Sequence, residues 1–578
     1  MKRFALLVFV GILALGLWPG RRAVADIGPL QTLVVVNTAD RESRALGAYY
    51  LEKHGIPPAS HRCEVELPRV VGQNISLEAF ERYVRAPIEK HIERHRLRGQ
   101  IQLVVFCWRG PTRVNNDNSL SSAFFYGYKA RPPEAKGPCV IAPDSRSAYY
   151  EADRAFSATA GYSPLGSPLA FVLSARTLDA AKAVVDRAVS GHAQAPEAAF
   201  ALASSGDRDR AVRTPQFAAA AAQLRLLGVP PERILVSSQA PLSPPLPLAS
   251  CSLGQAYFPS NWQDKTVAPT FVPGAICEHL TSCGGQLPDP CLHQAGVWDW
   301  FDRGATASYG TVSEPCNFTV KFPHARLASY VARGFTLAEA LAMSVANPYQ
   351  GLFAGDPLCA PYAAPPAVRI TYPPQNTGVP DAPPLALHLD VQAHPRGLPA
   401  AYLDLYVDGI HFTPMARPMS PAGNEILLTV GDQTFRHTVG RGEDLEAAVQ
   451  AFAFTLRTAS SNRLQVSSSG DLLTLSTDGT EPLPISIEVQ KGLGQAPYIG
   501  ARILSGARTL PGSATPGGPT SLQTAAIQFH LGTARRYAVD YSVDLSFLPH
   551  GLHVLTIVAR DGSALQTQGQ ASVSILRK

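Results

Sequence analysis

Charge is scarce in this chain: 16% of its 578 residues are Asp, Glu, Lys or Arg, and the net charge is only +5. No basic stripe with interleaved aromatics occurs, so nucleic acid is excluded as a partner. Phosphate-loop and dinucleotide fingerprints are missing, as is Gly-x-Ser-x-Gly, which removes kinase, dehydrogenase and α/β-hydrolase chemistry. The cysteines lack the paired spacing of closed zinc sites: Cys277-x-His279 and Cys291-x-His293 are the nearest approach. No metal and no cofactor is therefore expected. Beyond the amino terminus no apolar run reaches membrane-spanning length.

Hydrophobic residues make up 46% of the chain, a folded composition, while 50 prolines and 46 glycines imply many turns. The length suggests roughly three to four domains. Lys2 and Arg3 precede an apolar run from Phe4 to Trp18, and Ala23-Val24-Ala25 offers small residues for cleavage before Asp26. Residues 1–25 thus read as a signal peptide, and the mature protein as exported, whether periplasmic, surface-bound or extracellular. All nine cysteines follow that point, so in an oxidising compartment at least one is unpaired within the chain. Disulfides among the cluster from Cys251 to Cys316, such as Cys277 or Cys291 with Cys316, compete with buried free thiols as its explanation.

Strands and helices alternate through the first 360 residues. Leu33–Val36 is an apolar strand, Arg41–His54 a helix ended by Gly55-Ile56-Pro57, and a helix over 77–97 leads to strand 101–106. Strand 168–174, helix 177–189, strand 198–203, helix 214–227 and strand 233–237 repeat the pattern, which predicts a mostly parallel sheet flanked by helices. Residues 110–165 and 239–252 read as long surface loops. The α/β domain is placed at 26–362 and a Pro-rich linker at 363–382. An immunoglobulin-like sandwich follows in two pieces, 383–420 and 521–578, because Leu403–Gly409 and Leu548–Gly562 look like halves of one fold. Between them, 421–505 has the pattern of a ββαβββ module inserted into the sandwich, with 506–520 as return linker.

Within the α/β domain, Ser282-Cys283-Gly284-Gly285, Gly304-Ala305-Thr306, Leu337-Ala338-Glu339-Ala340 and Gly355-Asp356-Pro357 occur in an order that resembles the gingipain-type cysteine peptidases of the caspase-like clan. Phe171–Arg176 with its following helix extends the likeness, which covers about residues 31–362. The same region also resembles a family of uncharacterised secreted bacterial proteins. The C-terminal module is similar to units inserted in flagellar hook-associated and phage tail proteins. What the resemblance implies is a nucleophilic thiol at Cys283. The family's imidazole sits in a Gly-His-Gly turn on the preceding strand, but Gln255–Trp262 contains no histidine.

His324 is then the substitute base and Glu314 its orienter, for His279 lies four residues before Cys283 and about 13 Å away in an extended strand. Gly284-Gly285 would offer backbone N–H groups to an oxyanion. Asn261 and Trp262, with Arg109 and Asn37, are the candidate substrate-binding groups at strand ends. Two functions are expected to compete: a non-catalytic surface or periplasmic protein that binds a protein, peptide or glycan, and a cysteine peptidase or transpeptidase. The missing imidazole favours the first.

Overall fold

The computed structural model describes residues 27–68, 72–239, 244, 246–255, 257–372, 378–379, 384–416, 420–460, 464–477, 484–490, 498–505 and 523–577. The signal-peptide and return-linker expectations fall outside them. The fold class is α/β, a mostly parallel sheet flanked by helices, followed by all-β sheets.

Ten strands form the main sheet: β1 (Thr32–Asn37), β2 (Arg62–Val65), β3 (Leu103–Phe106), β4 (Leu169–Val172), β5 (Ala199–Ala203), β6 (Ile234–Ser237), β7 (Leu248–Leu253), β8 (Phe271–His279), β9 (Ala307–Thr311) and β10 (Gly351–Gly355). Their spatial order is β2-β1-β3-β4-β10-β9-β8-β7-β5-β6. Neighbours are parallel throughout except at β10 and β9, which pair antiparallel from Ala307↔Gly355 to Thr311↔Gly351. The sheet is thus two parallel halves of opposite direction. Strands buried on both faces read as continuous apolar runs, which is why Leu33–Val36 and Leu103–Phe106 were recognisable.

Helix α1 (Arg41–His54) is capped by Asp40, whose side chain accepts from the Glu42 amide, and ends at Gly55 in the left-handed region. It packs with α2 (Leu178–Gly191), which is capped by Thr177. Helix Leu120–Tyr126 lies inside the stretch expected to be surface loop, yet every one of its residues is buried, against β4 and β10. Its Ser121-Ser122 pair masked the signal, because both hydroxyls bond to the backbone around Pro348 to Phe353.

Beyond residue 362, Ala367–Tyr372 pairs with Leu385–Gln392, which pairs with Arg536–Val543. The Pro-rich segment expected to be a linker therefore contributes a strand. A second sheet joins Gly378–Val379, Gln568–Arg577, Gly551–Asp561, Ala400–Val407 and Ile410–Ala416. Leu387, Leu389, Leu405, Leu555 and Ile557 are among the residues of the core these two sheets share. Between the pieces, strands Glu425–Val430 and Gln433–Thr438, helix α3 (Leu445–Ala459), and strands Gln465–Ser469, Leu472–Thr477 and Ile485–Gln490 give the ββαβββ order. Gln523–Leu531 pairs with Leu472–Thr477 and Ile499–Ser505, so this strand lies with the inserted unit rather than with the sandwich to which residues from 521 onward were assigned. No helix among the described residues is long and apolar enough to cross a membrane.

Candidate functional site

Cys283 follows the carboxyl end of β8, between the ends of β7 and β9, as the sequence suggests for a residue at a functional edge. Its thiol is not free: Cys283 is bonded to Cys291. This corrects the nucleophile assignment, since a thiolate is needed for attack and a disulfide sulfur cannot supply one. The second bridge joins Cys139 to Cys316, so the cluster from Cys251 to Cys316 does hold a disulfide, Cys283–Cys291, but Cys316 pairs outside it rather than with Cys277 or Cys291. Cys63, Cys107, Cys251, Cys277 and Cys359 are free but buried, and burial pushes each thiol up, Cys63 to about 12.

The two glycines after Cys283 have a packing reason. A Cβ on Gly285 would stand 2.4 Å from the Gly310 carbonyl oxygen, and one on Gly310 would stand 2.4 Å from the Gly284 carbonyl carbon. The segment can run against β9 only because both chains lack side chains there. The Gly285 amide donates to the Thr311 carbonyl at 2.9 Å, so one of the two donors expected for an oxyanion is already used. Thr311 Oγ1 in turn donates to the Ser282 carbonyl at 2.9 Å.

Both candidate histidines are weakly basic. His279 contacts the Ala295 carbonyl through Nε2 at 2.7 Å and accepts from the Trp300 indole at Nδ1, 2.6 Å. Burial pushes its pKa down to about 4, against the opposing pull of the Ala295 carbonyl. His324 is lowered to about 4 by burial and then by Arg326, whose backbone amide donates to its Nδ1 at 3.1 Å. No hydrogen bond joins it to Cys283, which corrects its assignment as substitute base. Glu314 accepts from the Cys316 amide at 2.8 Å and closes a turn. It orients no imidazole.

The substrate-binding candidates are divided by the reversal of strand direction. Asn37 ends β1 and Arg109 follows β3, whose carboxyl ends lie on the sheet edge opposite to that of β7, β8 and β9. Asn37 Oδ1 accepts from the Ala39 and Leu67 amides, and Arg109 bonds the Arg176 carbonyl and faces Glu42 at 3.4 Å. The crevice beside Arg109 holds only about 10 Å3, room for one water. On the Cys283 side, Trp262 is 2% exposed, stacked on Phe258 and edge-on to Trp300. It anchors the core, and Asn261 is an exposed turn residue beside it.

Two buried polar clusters that the sequence did not disclose lie beneath this edge. Arg213 and Glu278 form an ion pair at 2.7 Å with side chains 1% and 0% exposed, and Arg213 also donates to the Leu253 and Pro323 carbonyls. Asp117 accepts from Arg131 at 2.8 Å, Gln350 at 3.0 Å and Ser313 at 3.0 Å. Burial raises its pKa, but these three donors outweigh that and leave it below the ordinary carboxylate range. Nearby, the Lys321 ammonium is enclosed, bonded to the Val140 carbonyl at 2.6 Å and placed against the Phe318 and Tyr349 rings. Burial pulls Lys321 down to about 8. A lone Lys or Asp in a loop gives no sequence signal of such convergence. Asp117 lies 196 positions from Ser313 and 233 from Gln350, and Arg213 lies 65 from Glu278.

No protein-family model matches the chain, and no curated protein is similar to it. Among solved structures it is similar to a protease, at 12% identity and a TM-score of 0.31, over 71% of this chain and 97% of that one. It is also similar to the fibronectin(III)-like modules of Clostridium thermocellum CbhA, at 9% identity and a TM-score of 0.07, over 37% of this chain and 94% of that one.

Proposed function

We propose that this chain is an exported, non-catalytic binding protein whose α/β domain keeps the outline of a cysteine-peptidase edge without its chemistry. One observation carries the reading: the sulfur at the expected nucleophile position is committed to Cys291. The surroundings agree with it. One of the two expected oxyanion donors is spent on Thr311, and the two histidines considered as bases are lowered to about 4, which makes each a weak base near neutrality. Two disulfides suit an oxidising compartment, which supports export, in line with the Lys2 to Ala25 pattern. A protein, a peptide or a glycan remains the class of partner.

The test is a peptidase and transpeptidase assay on a mixed peptide library, with and without reductant, comparing wild type and Cys283→Ala. No turnover is expected in either redox state. Turnover that appears on reduction and vanishes in Cys283→Ala would establish the peptidase reading instead.

A further inference from the structure

A cleft of about 260 Å3 opens where three parts of the chain meet, close to the lower end of small-ligand sites, roughly 300 Å3. One wall is the segment from Arg154 to Tyr162 of the α/β domain. The second is the tip of α3, Asp444 to Glu446, and the third is Gly562 to Gln566 together with Tyr402. Gly470 and Asp471 also line it. The walls are tied across units: Arg154 pairs with Glu446 at 2.7 Å, and Arg333 pairs with both Asp153 and Asp471 at 3.0 Å. The cleft is therefore held open by contacts already made, the pre-formed kind of site that occurs between domains.

We infer that this cleft binds a neutral saccharide unit, and this ligand class rests on the non-catalytic binding reading above. Its charges are satisfied internally. Arg154 is neutralised by Glu446, the amino terminus of α3 by its cap Asp444, and Asp471 by Arg333, Gln528 and the Ala564 amide. A free anion or cation would gain little there, because each already has its counter-charge. What the walls do offer is one half-buried aromatic ring, Tyr402, beside the buried Tyr162, and planar polar groups fixed in place by hydrogen bonds, Arg154 to Tyr162 and Glu446, Gln450 to Glu446 and Arg560 to Gln566, whose remaining edges suit adjacent hydroxyls. The Tyr402 ring is stiffened by the Arg560 guanidinium 4.6 Å from its centre. A peptide that binds by adding a strand would need a strand edge to extend. Tyr402 is paired with Arg560, and the Leu531 amide donates to the Gly562 carbonyl, so these two strand positions at the cleft are already engaged with neighbouring chain.

The test is calorimetric titration of the full exported chain with cellotetraose, maltotetraose and tetra-N-acetylchitotetraose, and with tetra-alanine as the peptide. At least one saccharide should bind. Tyr402→Ala should weaken it about tenfold, the loss of one aromatic contact. Ala160→Trp, which adds a side chain at an exposed lining position, should abolish binding while the melting temperature is kept. Gln566→Ala is the second probe if Tyr402→Ala fails to fold. The inference is overturned by no saccharide binding, by tetra-alanine binding in their place, or by binding that survives Ala160→Trp. Cys283→Ala should leave binding unchanged, so thiol-dependent peptide turnover would remove the non-catalytic reading while leaving the saccharide titration as a separate result.

Discussion

Removing the two disulfides separately should cost very different amounts, and the difference follows from chain length. Cys139 and Cys316 are separated by 177 residues, Cys283 and Cys291 by 8. Closing those loops in the unfolded chain is worth about 5 kcal/mol for the long one and about 2.5 kcal/mol for the short one. The Cys139→Ser/Cys316→Ser pair should therefore lose about 2.5 kcal/mol more than Cys283→Ser/Cys291→Ser. The long bridge also clamps Val140, whose carbonyl holds the Lys321 ammonium, so its loss should disturb that buried cation as well. Tryptophan fluorescence in urea is a clean assay, because Trp108, Trp262, Trp298 and Trp300 all lie in the α/β domain and no tryptophan follows residue 300. With a slope of about 2–3 kcal/mol per molar urea, the two midpoints should differ by roughly 1 M. Equal midpoints, or a larger loss from the short bridge, would refute the argument from loop closure.

Arg213→Met should destabilise the α/β domain by about 3–5 kcal/mol, since it strands the Glu278 carboxylate in a buried site, whereas Arg213→Met/Glu278→Leu should be milder; thermal melts in which the single variant is no worse than the double would contradict this. Acidification should weaken the fold between about pH 6.5 and pH 4: the unfolded chain protonates His279 at its ordinary pKa, the folded one only near 4, so protons favour unfolding across that window. Asp561, fully buried and raised to about 6, works the other way, because its folded form holds the proton that the unfolded form gives up above about pH 4, so Asp561→Asn should make the acid loss steeper in a pH series of urea melts. In thiol mapping by mass spectrometry, the native oxidised protein should label at no cysteine, and mild reduction should expose only the bridge cysteines. Labelling of Cys107 or Cys251 before unfolding would show that those buried thiols open.

The sequence was most readable where burial is two-sided. Leu33–Val36, Leu103–Phe106 and Phe200–Ala203 announce themselves as apolar runs, and α1 and α2 carry side-chain caps at Asp40 and Thr177. It was least readable where polar atoms are buried. Ser121 and Ser122 look like loop residues, but their hydroxyls are spent on backbone groups of a neighbouring segment, which no local pattern records. The same holds at the site. That Cys283 sits at a strand's carboxyl end was legible, whereas its partner was not, because residues 284–290 must fold back on themselves to bring Cys291 within reach. Gly284-Gly285 looked like preparation for catalysis and is instead the clearance that lets the chain pass Gly310.

The direction of a single strand pair decides whether the candidate groups at the strand ends can share one crevice. In a sheet parallel throughout, the ends of β1, β3, β7, β8 and β9 would all lie on one edge, and Asn37, Arg109 and Cys283 could converge. Because β10 runs parallel to β4 and antiparallel to β9, the two halves present their carboxyl ends to opposite edges. Nothing in the composition of Gly351–Gly355 encodes that orientation. It follows from the path of residues 313–350, which return the chain to the edge where β9 ends, so that β10 must run back across the sheet. With the edges separated, the polar groups of the β1 side cannot assist Cys283. The binding surface must then be sought at one edge alone, or at the cleft the later domains build against the first.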